Sequence, residues 1–181
     1  MLKTKELTSY NIYDKREFEL IISDLVNNET VKKMKNYRQH YDTSCFEHCK
    51  MVAYYSYLLC KKYNLDYRSA ARAAMLHDLF LYDWRTKENG RKGLHAFTHP
   101  KTALENASKL FDLNDKECDI ILKHMWPLTI KFPKYKESYI ITFVDKYCAL
   151  SESIKAYKSK RKLQIAYRYA YVFLSMLVIL R

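Results

Sequence analysis

Four histidines and two aspartates stand in one order along this chain: His48, the adjacent pair His77-Asp78, His99, His124 and Asp145. Neutral imidazole and carboxylate are the usual ligands of zinc, iron, manganese and related divalent ions, so the order points to metal chemistry. All six histidines of the chain fall between positions 40 and 124. The dyad lies inside an apolar run, Ala73-Ala-Met-Leu-His-Asp-Leu-Phe-Leu81, and Asp145 follows Tyr139-Ile-Ile-Thr-Phe-Val144. A carboxylate in such a stretch is costly to bury without a partner, and a metal supplies one. For Asp145 alone, a lysine partner or a capping role is the competing account.

Helices must position these groups. Phe18, Ile21, Ile22 and Leu25 share one face and predict a helix over 15–26. Ser44 to Glu47 reads as a capping box that opens a long helix to about Tyr63. Asn64 suits its end and Asp66 the next N-cap. The helix from Tyr67 puts Ala70, Ala73, Ala74 and His77 on one stripe, small enough for another helix to come close. His77 and Asp78 would sit about 100° apart on it, so other helices must close the shell, and His48 and Asp145 suit that role. Residues 84–98 hold both glycines and read as a loop. His99-Pro100 predicts a helix start with Pro100 at its first position. Asn114 to Glu117 is a second capping-box start, for a helix ending near Trp126 before Pro127. A connector over 127–136 and a long helix over 136–157 carrying Asp145 complete the frame.

On that frame, His48, His77-Asp78 and Asp145 resemble the HD-domain phosphohydrolase superfamily over roughly residues 40–150. The resemblance implies that His48, His77, Asp78 and Asp145 bind one divalent ion, with Asp78 also catalytic. His99 and His124 resemble the further histidines of members that bind two ions, in which the dyad aspartate bridges them. One or two ions are therefore expected, among Fe, Mn, Zn, Co, Ni and Mg. The chain lacks the Gly-Tyr-Pro signature of the cyclic-dinucleotide branch, so that substrate is not carried over.

Around this set the reading stays open. Asp83 is either a proton acceptor near the ion or an ordinary turn residue. Arg85, Lys87, Arg91, Lys92 and His95 would bind substrate phosphate, or belong to a solvated polar loop. His40 reads as structural. Cys45 and Cys49 read as core thiols.

Composition sets outer bounds. With only Gly90 and Gly93, the chain cannot form a dinucleotide fingerprint or a P-loop. Three prolines and few glycines speak against an all-β chain. The first 20 residues are polar and mixed in charge, and five cysteines include no Cys-x-x-Cys pair. A cytoplasmic protein with free thiols is expected. Net charge is +12, of which +7 lies from Lys146 onward. That bias suits phosphate, nucleic acid or anionic lipid, and equally a solvated basic helix face.

The twelve uncharged residues between Arg168 and Arg181 fall short of the roughly 20 that span a membrane. The expected architecture is all-α, a single HD-type helical domain with an extra C-terminal helix. It divides into N-terminal helices over 1–39, the metal-binding domain over 40–157, and a basic, apolar helix over 158–181 packed on the domain. A homodimer contact and peripheral membrane contact are the alternatives for that last helix. The expected function is a metal-dependent phosphohydrolase acting on a nucleotide or other small phosphoester by metal-activated water. Its rivals are a di-iron oxygenase and a non-enzymatic metal- or nucleotide-binding regulatory domain.

Overall fold

The structure is a computed structural model that describes residues 13–40, 43–86 and 93–159. The expected segment 158–181 therefore lies outside the described residues from 160 onward, as do Lys87, Arg91 and Lys92. Helix α1 covers 13–21, followed by α2 (Ser23–Asn27), α3 (Glu29–Lys32) and a 3-10 turn, Lys33–Asn36. A small antiparallel hairpin follows, β1 (Arg38–His40) with β2 (Thr43–Ser44). The frame of the site is α4 (Cys45–Lys62), α5 (Tyr67–Leu76), α6 (His95–Ser108), α7 (Asp115–Lys123) and α8 (Lys136–Ser159). The all-α expectation holds, with the hairpin as an addition that no alternation in the sequence announced. No helix among the described residues is long and apolar enough to cross a membrane.

The helix expected over 15–26 is broken at Ile22, where the backbone turns at φ −101° and ψ 6°. The break leaves the apolar face intact: Phe18, Ile21, Ile22 and Leu25 are all buried. Ser44 accepts a hydrogen bond from the Glu47 N–H and opens α4 as expected. Asn64 ends it in the left-handed region at φ 51°, which asparagine tolerates better than most residues. Asp66 caps α5 through the Ser69 N–H. Ala70, Ala71, Ala73 and Ala74 are fully buried, and α4 packs against α5 more extensively than any other pair of elements.

Two boundaries differ from expectation. α6 begins at His95, so Pro100 is its sixth residue and not its first. Leu94 supplies the extended N-cap, and Gly93 before it sits at φ 91°. A side chain at Gly93 would be strained there and would meet Thr98. α7 ends at Lys123, three residues before Trp126, and its start carries the full reciprocal capping box of Asn114 and Glu117.

The start of α8 is held by two carboxylates, Asp119 on α7 and its own Glu137. Asp119 accepts from the Lys134 N–H and the Ser138 hydroxyl at 2.9 and 2.7 Å. Glu137 accepts from the Asp66 N–H and from Lys116. These bonds fix where α8 starts and hence where Asp145 stands.

At the other end of the domain Glu17 on α1 accepts from Lys61, Tyr57 and Tyr67, which hold its carboxyl down to about 2. Glu17→Gln is expected to lower stability at pH 7 by about 1 kcal/mol, because these groups are partly solvated. A carboxyl lowered by folding stabilises above its unfolded range and loses that contribution as pH falls through about 2. Urea melts should therefore separate the two proteins at pH 7 and bring them together near pH 2. An equal gap at both values would assign the effect to packing.

Candidate metal centre

α5 ends at Leu76, so His77 is its C-cap and the dyad lies in the turn that follows, not within the helix. The turn is tight: the Leu79 N–H reaches the Leu76 carbonyl, and the Phe80 N–H reaches that of Asp78 at 2.8 Å. Leu81 then takes φ 53°, which costs a residue with a side chain on the order of 1 kcal/mol or more. The reward is placement, since Phe80 packs edge-on against the rings of His95 and His99. Cys45, at the start of α4, donates its thiol to the Asp78 carbonyl at 3.3 Å. This thiol, read as core, thus also pins the dyad.

The six residues converge. His48 Nε2 lies 3.0 Å from Asp145, and His77 Nε2 lies 3.6 Å from Asp145 and 3.4 Å from Asp78. His99 and His124 bring Nε2 to 3.2 and 3.6 Å from Asp78 Oδ1. Among these six, two groups able to hold an ion result, His48 with His77 and Asp78, and Asp78 with His99 and His124, while Asp78 also lies close to the Cys45 and Cys49 thiols in a third. Asp78 belongs to both. All are buried except Asp145, whose side chain keeps 13% of its surface open.

Hydrogen positions follow from the partners. Nδ1 of His77, His99 and His124 lies 2.7, 2.8 and 2.9 Å from the carbonyl oxygens of Ala74, His95 and Ile121. A carbonyl only accepts, so each Nδ1 carries the hydrogen and each neutral ring turns an Nε2 lone pair inward. His48 does the same through Glu152, whose oxygens stand 3.1 and 3.3 Å from Nδ1. A buried carboxylate behind a ligand histidine fixes the ring and raises its basicity. His77 Nε2 and Asp78 Oδ1 are buried without a hydrogen-bond partner among the described residues. His99 and His124 face each other Nε2 to Nε2 at 2.8 Å. Two lone pairs at that distance repel unless a cation joins them. Two neighbouring ligands about 2.0–2.1 Å from one ion would lie about 2.9 Å apart in an octahedral shell and about 3.4 Å apart in a tetrahedral one, so the pair needs only a small adjustment to share an ion. The donor set therefore fits divalent metal.

Electrostatics agree. Burial would raise the Asp78 carboxyl, but the imidazoles of His77, His99 and His124 outweigh it and hold it well below the usual range. Burial, then His77 and His99, push His124 down to about 3, so it stays neutral. Burial opposes protonation of His48, yet Asp145 and Glu152 hold it well above the usual range. Burial likewise opposes protonation of His77, while Cys49 and Asp78 raise it. An anionic pocket without a cation takes up protons on its imidazoles, and an ion would displace them.

Of the other expected residues, Asp83, Arg85 and His95 lie within the described residues. Asp83 is taken up by Arg85, with oxygens 2.9 and 2.6 Å from Nε and Nη2. That guanidinium holds the Asp83 carboxyl down to about 2, which makes it a weak proton acceptor while the pair lasts. His95 stands beside the cluster, stacked on His99 at 4.5 Å and on Trp84 at 5.6 Å, with Tyr82 at its Nδ1. Two residues absent from the sequence reading reach the site. Glu152 follows Asp145 by seven positions, two turns along the same face of α8, a spacing that marks it once Asp145 is accepted. Gln39 donates to Asp78 Oδ2 from β1, and no spacing points to it.

Residues 45–150, more than half of the 181-residue chain, match the family model described as HD domain. No curated protein and no solved structure gives a match.

Proposed function

The chain belongs to the HD domain family, and from that membership and its buried cluster we propose that it is a metal-dependent phosphohydrolase of a nucleotide or other small phosphoester. The family includes metal-dependent phosphohydrolases, and HD domains bind divalent metals. The observation that carries the reading is the convergence of four Nε2 atoms on two carboxylates, with every Nδ1 already engaged by a carbonyl or by Glu152.

His48, His77, Asp78 and Asp145 would hold one ion, and Asp78, His99 and His124 a second. Such an ion supplies a lowered water pKa and offsets charge on the phosphate. The chain's own residues do the rest. The Nδ1 bonds fix each ring, Lys146 ties α8 to the His124 carbonyl at 3.1 Å, and the open side of Asp145 leaves an approach for substrate. Arg85, Lys87, Arg91, Lys92 and His95 are proposed to meet the phosphate. Arg85 must leave Asp83 to do so. Five free cysteines among the described residues support a reducing, cytoplasmic setting. The segment 158–181 is proposed to pack on the domain or on a second copy.

The test is metal analysis of anaerobically purified protein, then a panel of nucleotides and phosphoesters with and without chelator. Chelator-sensitive hydrolysis is expected. Oxygen consumption by iron-loaded protein without hydrolysis would move the reading to the oxygenase. Nucleotide binding without turnover would move it to a regulatory domain.

A further inference from the structure

The hairpin brings one neutral group to a site otherwise built from imidazoles and carboxylates. β1 is paired with β2 on either side of Gln39, Arg38 with Ser44 and His40 with Thr43, and just before it the Cys45 N–H donates to the Tyr37 carbonyl at 2.8 Å and Trp84 Nε1 to the Arg38 carbonyl at 3.2 Å. Gln39 Nε2 donates to Asp78 Oδ2. Its Oε1 is buried and finds no donor among the described residues. A buried acceptor without a donor costs about 1–3 kcal/mol, so its presence calls for a partner that arrives later. Reversing the amide does not help, because Oε1 would then face the Asp78 carboxylate, acceptor against acceptor. The orphaned atoms of His77 and Asp78 beside it are answered by a cation. The acceptor on Gln39 is answered equally well by a hydrogen of water.

We propose that Gln39 is a positioning residue of this site, whose amide hydrogen holds Asp78 and whose Oε1 orients the water that attacks the phosphoester. The proposal rests on the phosphohydrolase reading. Accepting one hydrogen of that water turns an oxygen lone pair toward phosphorus, the task a glutamine performs for attacking water in some phosphoryl-transfer enzymes. The water oxygen forms the bond to phosphorus. The ester P–O bond breaks, and its electron pair leaves on the alcohol oxygen. The water's proton reaches that oxygen through solvent. A neutral amide is not a base, so Gln39 orients and takes no proton.

The experiment compares full-length wild type with Gln39→Met, an apolar side chain of similar length, and with Gln39→Glu, which keeps an oxygen but loses the donor. Manganese binding is measured by titration, and turnover by kcat and KM on the best ester of the panel. Gln39→Met is expected to weaken Mn²⁺ about 10-fold at unchanged stoichiometry. Its kcat should fall about 10–100-fold while KM stays within about two-fold, the pattern of an interaction made in the transition state. Gln39→Glu should weaken Mn²⁺ more than Gln39→Met, since a carboxylate replaces the donor to Asp78. Unchanged Mn²⁺ affinity in Gln39→Met overturns the hold on Asp78. Unchanged kcat at saturating Mn²⁺ overturns the orientation of water. A wild type that hydrolyses no ester on the panel fails the parent reading and the water role with it, while the Mn²⁺ titration still decides whether Gln39 supports Asp78.

Discussion

Replacing Asp78 with alanine is expected to abolish turnover and to empty the site of metal, a larger effect than any other single change in the cluster. Asp78 is the one residue shared by both ion-holding groups, with Oδ1 facing His99 and His124 and Oδ2 near His77. Removing it takes a ligand from each group. Loss of about 4 kcal/mol of transition-state stabilisation corresponds to about 10³-fold in kcat. His99→Ala touches one group only and should cost about 10–100-fold. Asp78→Asn keeps the volume and the contact to Gln39 while removing the charge, so it separates loss of the ligand from collapse of the turn. Elemental analysis and kcat on all three variants, with circular dichroism as the control for folding, check the order. Equal losses in His99→Ala and Asp78→Ala would remove the special place given to Asp78.

His48, His77, Asp78 and Asp145 were legible because each is a polar residue that its apolar surroundings do not explain, whereas His99 and His124 were singled out through the family resemblance. Glu152 was not singled out, since its function depends on a histidine 104 positions earlier. Gln39 carries no charge, belongs to no repeat, and arrives through a hairpin of three and two residues. Such short strands have no periodicity to detect. The start of α6 was misplaced for a related reason. Proline at a first helical position is a local preference, and here the interior of the site overrides it. Extending the helix back to His95 gives His99 Nδ1 a carbonyl one turn earlier to bond, which a start at His99 would not supply. Helix identity followed from pattern, whereas the dyad's turn was set by packing between distant elements.

That same burial of unneutralised groups leads to the expectation that a bound ion raises the stability of the fold. A ligand that binds only the folded chain, present at 1,000 times its Kd, adds about 4.1 kcal/mol. In a chain of this length that is roughly 8–16 °C in Tm, at about 2–4 °C per kcal/mol. Mn²⁺ added to chelator-treated protein is expected to produce this shift. The increment should shrink as pH falls, because His48 and His77 are held above their ordinary range and the ion must displace their protons. Two variants distinguish site from core. Leu76 is fully buried beside the dyad but offers no ligand, so Leu76→Ala should cost about 2–5 kcal/mol and keep most of the Mn²⁺ increment. His48→Ala should lose most of the increment, because the ring that α4 brings to Asp145 and Glu152 is gone. Differential scanning calorimetry of the three proteins, with and without Mn²⁺, reads both quantities. A wild type whose Tm ignores Mn²⁺ at every pH where His48 is neutral would rule out the ion as the partner of this cluster.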